Sequence, residues 1–140
     1  MPDFAKKCTL FPLNVRMKTL AGDRSPSNNS TNSSIKAIQR STVAPSDAVI
    51  ATTNSLISTA TSGMPVYMWY TNGTIKWWSE AEKIEAGTDL SYLCAMMYRL
   101  TDISGLSDWN TGAVTDMSYM FSGDSYSRYS SLTNLSALLN

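Results

Sequence analysis

Apolar residues follow three different rhythms along this chain. In "LNVRMKTL", residues 13–20, Leu13, Val15 and Met17 alternate with Asn14, Arg16 and Lys18, the period of two that predicts a half-buried strand. In "PVYMWYTNGTIKWWSE", residues 65–80, two aromatic runs flank Asn72-Gly73, the dipeptide that best tolerates the positive φ angles of a two-residue type I′ hairpin. Setting Thr71 opposite Thr74 pairs Tyr70 with Ile75, Trp69 with Lys76, Met68 with Trp77 and Tyr67 with Trp78. Val66, Met68, Tyr70, Ile75 and Trp77 then share one face, and Tyr67, Trp69, Lys76 and Trp78 the other. From residue 100 the beat changes to Leu100, Ile103, Leu106, Trp109, Val114, Met117, Met120 and Phe121, with small polar residues between. No continuous helix or strand fits that spacing, whereas a coil of short strand, turn and short helical turn does.

The stretches between are plainer. "AGDRSPSNNSTNSS", residues 21–34, offers little to bury and reads as a flexible loop. Its Asn-x-Ser/Thr triplets at Asn28, Asn29 and Asn32, like those at Asn72 and Asn134, follow from composition and are not read as glycosylation sites. "IKAIQRST" supplies an apolar pair, Ile35 and Ile38, before Pro45 breaks the chain, and the β-branched "AVIATTNSLIST" leans towards extended structure. The expected fold is therefore mainly β with short helical turns. A β-rich N-terminal unit occupies residues 1–60, an aromatic hairpin cap 61–89 and a short solenoid of about two units 90–140.

Internal similarity supports that last unit. Leu100, Thr101, Ile103, Ser104 and Leu106 match Leu132, Thr133, Leu135, Ser136 and Leu138 at a spacing of 32. "LSYLCAMM" from Leu90 matches "MSYMFSGD" from Met117 at a spacing of 27, and "DSYSRYS", residues 124–130, supplies the extra length as a surface bulge.

Charge and composition narrow the chemistry. Residues 1–60 carry 7 basic and 3 acidic side chains and residues 61–140 carry 4 and 8, a dipole without the dense basic face that a phosphate backbone requires. Nucleic acid is disfavoured as a partner. No run is long and apolar enough for a signal core or a membrane span. The chain has no histidine, which removes the commonest general base and metal ligand. Cys8 and Cys94 are too far apart for a zinc pair, leaving one disulfide or two separate thiols. Asp102, Asp108 and Asp116 stand in turn-forming contexts that suit side-chain-to-backbone bonds better than paired acid–base work. No catalytic residue, metal site or cofactor is expected.

"LTDISGLSDWNTGAVTDMSYMFSG", residues 100–123, resembles the repeat of BspA-like leucine-rich-repeat surface proteins, with Trp109, Asn110, Thr111, Val114, Thr115, Met117, Ser118, Met120 and Phe121 in the places that pattern requires. The likeness extends over about residues 60–140, since an aromatic hairpin often precedes such repeats, and it departs at Asp124, where a small residue or cysteine commonly closes the unit. The resemblance implies a non-catalytic adhesion module of a bacterial surface or secreted protein that recognises a protein or glycan on a cell surface. The rival reading is a structural or receptor-binding part of a phage particle. Tyr67, Trp69, Lys76 and Trp78 are the candidate ligand platform. As a cap instead, the hairpin would lay Lys76 over Trp69 and pack its Trp77 face near Leu93, Met96 and Leu100. Leu132, Leu135, Leu138 and Leu139 would leave an apolar strand edge to cover, which predicts self-association or a partner chain there.

Overall fold

Asn72 and Gly73 adopt φ angles of 45° and 87°, so the chain reverses in two residues and the aromatic runs pair as the sequence predicts. In the computed structural model, which describes residues 13–58 and 64–123, β2 (Val66–Thr71) and β3 (Thr74–Ser79) are antiparallel. Tyr67 lies opposite Trp78, Met68 opposite Trp77, Trp69 opposite Lys76 and Tyr70 opposite Ile75. On the free side of β3 lies β1 (Ala37–Arg40), parallel, with Gln39 beside Lys76 and Arg40 beside Trp77. Two bridges widen this sheet: Ala37 pairs in parallel with Asp102, and Leu56 pairs antiparallel with Tyr67.

A second, two-stranded sheet joins β4 (Ile84–Glu85) to β5 (Trp109–Asn110) in parallel. The same pairing continues beyond it, with Leu90, Tyr92, Cys94 and Met96 N–H groups donating to Asp116, Ser118, Met120 and Ser122 carbonyls at 2.7–3.0 Å. The turns on these two rows are alike. Asp89 and Asp116 each accept the N–H of the residue two on, and Tyr92 and Tyr119, 27 positions apart, have φ of 62° and 57°. Their rings stack at 5.0 Å.

The apolar faces meet in one cluster. Ile38, Val66, Met68, Ile75, Trp77, Ile84, Leu93, Met97, Leu100, Ile103, Leu106 and Trp109 are all buried in it, together with Leu13 and Met17. The described residues thus form small sheets with few short helices, as the mainly β expectation holds. No helix among them is long and apolar enough to cross a membrane.

Three expectations need correcting. "LNVRMKTL" is a helix, α1 (Leu13–Leu20), rather than a strand. Leu13 and Met17 satisfy an i, i+4 stripe as well as alternation. What decides between them is the neighbouring pair, Asn14 and Lys18, which is also buried. "AVIATTNSLIST" does not extend from its start: Ser46 caps Val49 N–H at 3.3 Å and opens the short helix α2 (Asp47–Ile50), and only Leu56 pairs with a strand. Lys76 does not lie over Trp69; the cation over an indole is Arg40, 4.6 Å from the Trp77 ring, because the parallel β1 brings it alongside.

The polar loop 21–34 has a definite task. Lys18 is wholly buried, and its Nζ donates to the Ser27 and Ser30 carbonyls at 2.9 and 2.6 Å. Asn32, also buried, accepts the Ser34 and Ile35 N–H groups and donates to Asp23. Burial lowers the Lys18 pKa from 10.5 to about 8, against the pull of Asp23. Between those values the unfolded chain holds a proton that the folded chain lacks, so the Lys18 contribution to stability is expected to rise with pH across that window and stay level below it, while the buried Cys94 thiol, raised from 9.0 to about 12, works in the opposite direction above pH 9. Urea titrations at pH 8, 8.5 and 9, below the range in which Cys94 acts, would show this rise, and Lys18→Met should abolish it. An equal rise in both proteins would assign it to other groups.

Candidate functional site

Because β2, β3 and β1 are in register, alternate residues of all three strands project from the same side of the sheet. The inward set is Val66, Met68, Ile75, Trp77 and Ile38, all buried. The outward set contains the predicted platform, and Tyr67, Trp69, Lys76 and Trp78 are each partly exposed there. The registers arrange this side in two rows running across the strands. One is Leu56, Tyr67 and Trp78, and the other is Trp69, Lys76 and Gln39. Neighbours within a row are about 4.8 Å apart, and the rows are separated by about two residues' rise, roughly 6.6 Å.

Charge on this side is uneven. The Lys76 side chain has no hydrogen bond, ion pair or ring contact among the described residues. Asp102, beyond β1, is committed: its Oδ2 accepts Gln39 Nε2 at 2.9 Å and its Oδ1 accepts Ser104 N–H at 2.8 Å. Those bonds hold its pKa below the usual carboxylate value although burial opposes them. Arg16 donates to the Asn54 and Leu56 carbonyls at 3.1 and 3.2 Å, placing a second cation at the Leu56 edge.

The inner side secures the outer one. Trp77 Nε1 donates to the Gly105 carbonyl at 2.8 Å, and its ring meets Trp109 edge-on at 6.2 Å. Arg40, above that ring, donates to the carbonyls of Ser79, Ala81 and Glu82 and pairs with Asp108 at 3.0 Å. Trp77 thus meets Trp109, Gly105 and Arg40, and of the three residues expected near it Leu93 and Leu100 share its apolar cluster, whereas Met96, though buried, is not part of that cluster.

The acids are structural in their bonding. Asp102, Asp116 and Asp89 each accept a backbone N–H two residues on, and Asp116 also accepts the Ser118 hydroxyl at 2.6 Å, which lowers its pKa. No group of three or more potential metal ligands occurs among the described residues. Cys94 is buried and its thiol pKa is pushed up to about 12 by desolvation, the opposite of what a reactive thiol needs. Cys8 and the candidate contact residues Leu132, Leu135, Leu138 and Leu139 lie outside the described residues.

Sequence reasoning missed Gln39 and Leu56 as members of the outward side. Reading "KAIQ" as period-two would have placed Gln39 opposite Ile38, but nothing local gives its neighbour on β3. No protein-family model, no curated protein and no solved structure matches this chain.

Proposed function

We propose that this chain is a non-catalytic binding module of a bacterial surface or secreted protein, built as a short leucine-rich-repeat-like solenoid of the BspA-like type and recognising a protein or glycan on a cell surface. The observation that carries the reading is the pair of like turns at Asp89–Tyr92 and Asp116–Tyr119, paired in parallel with the tyrosines stacked. Rows of that kind bury a continuous core only by stacking, as repeat units do. The sheet beside them offers an aromatic side of the kind that binding surfaces enrich. Catalysis, a cofactor, nucleic acid and membrane insertion have no part in this reading.

Labelled protein applied to printed cell-surface glycans and immobilised extracellular-matrix proteins tests it. Binding is expected to at least one of these surfaces, and Trp69→Ala with Trp78→Ala should weaken it by about tenfold or more at unchanged melting temperature. Absence of binding to both sets, or binding indifferent to the double substitution, would defeat the assignment.

A further inference from the structure

The outward side of the sheet has a pattern more specific than stickiness. Leu56, Tyr67 and Trp78 make an apolar row, and beside it Trp69 leads into the ammonium of Lys76 and the amide of Gln39. A pyranose ring presents the same two chemistries, a flat C–H face and a rim of hydroxyls, within one ring width. The row spacing of roughly 6.6 Å allows the C–H face to rest on the aromatics while the rim reaches the polar row.

Charge refines the match. Asp102 remains an anion but its two oxygens are taken by Gln39 Nε2 and Ser104 N–H rather than by Lys76, and Glu80 lies past the end of β3. Lys76 sits among Trp69, Trp78 and Gln39 without a counter-ion among the described residues. A neutral sugar would leave the Lys76 ammonium with nothing but hydroxyls to meet. A sugar bearing a carboxylate or sulfate supplies the missing partner in a charge-assisted bond.

We propose that this side of the sheet binds an acidic glycan, whose ring stacks on Tyr67, Trp69 and Trp78 and whose carboxylate or sulfate group pairs with Lys76 Nζ. The inference rests on the binding-module reading and names its ligand class. Gln39, whose Nε2 donates to Asp102, offers its Oε1 as the acceptor for a hydroxyl of the ring rim.

Calorimetric titration of the full chain with three tetrasaccharides tests this: tetragalacturonate, a chondroitin sulfate tetrasaccharide, and neutral chitotetraose. At least one acidic probe is expected to bind about tenfold or more tightly than the neutral one at 50 mM salt, and the margin should shrink at 500 mM. The carboxylated and sulfated arms tell which anion is preferred. Lys76→Gln should abolish the margin at unchanged melting temperature, and Lys76→Arg should keep most of it. Equal binding of acidic and neutral probes, or a margin that survives Lys76→Gln, overturns the acidic assignment. If chitotetraose binds equally and remains sensitive to Trp69→Ala, the side is still a binding surface and only the ligand class falls. If no tetrasaccharide binds while a matrix protein does, the glycan inference falls and the binding-module reading stands.

Discussion

Trp77→Ala is expected to destabilise the chain by about 3–5 kcal/mol, the range for deleting a large buried aromatic. Three losses coincide at that position. The indole is completely buried, its ring is the edge-on partner of Trp109, and Arg40 lies across it. Its N–H also satisfies the Gly105 carbonyl, so truncation strands a buried acceptor as well as opening a cavity. Trp77→Phe should keep most of the packing and lose that bond, at about 1–3 kcal/mol. Urea unfolding followed by far-ultraviolet circular dichroism measures both. Wild-type midpoints for Trp77→Ala would mean that the hairpin does not anchor the core.

Gly105→Ala should cost about 3 kcal/mol, the upper end of ordinary overpacking, and more than the same change at Gly22, Gly73 or Gly112, where an added Cβ meets no atom closer than 3.2 Å. A Cβ at Gly105 would stand 2.6 Å from Gln39 Cα and 2.7 Å from the Ile38 carbonyl oxygen. Both are main-chain atoms of β1, which cannot swing aside as a side chain can. Relief requires the turn at Ser104–Leu106 to lift off β1, and that movement also lengthens the bond between Gly105 and Trp77. Gly105→Ala and Trp77→Phe are therefore expected to be non-additive in a double-mutant cycle, by at least about 0.5 kcal/mol. Strict additivity would mean that β1 yields without disturbing the indole. Ala137 occupies the matching place in the spacing-32 alignment, so sequence similarity by itself does not mark Gly105 as special.

The hairpin was the most legible element because its information is local. Asn72-Gly73 sets the turn, and the register then dictates every facing pair. The relation between Tyr92 and Tyr119 was legible as a spacing of 27, since like turns carry like side chains. Residues 13–20 were not legible, because Leu13 and Met17 fit either period and the deciding contacts are remote. Asn14 Nδ2 donates to the Tyr92 carbonyl at 2.7 Å and the Ala95 carbonyl at 3.1 Å, and Lys18 serves the loop at Ser27–Ser30. Of the outward side, the aromatics could be read from alternation. Gln39 could not, since only the parallel pairing of β1 with β3 sets it beside Lys76.

The position of β1 bears on how the chain reaches this state. Its two neighbours, β3 at Thr74 and the bridge at Asp102, arrive 37 and 65 residues after Ala37. The hairpin closes within its own span, Val66 to Ser79, on a timescale of about 1–10 μs. Sealing β1 between its neighbours instead requires closure of two long loops, whose entropy must be met before the contacts repay it. During synthesis β1 thus leaves the ribosome before β2 and β3 and yet gains its second neighbour after both of them have paired. Until Asp102 and Gly105 emerge, β1 has an open edge and Ile38 lacks the turn that covers it, so nascent chains halted before that point should be the ones that recruit chaperones.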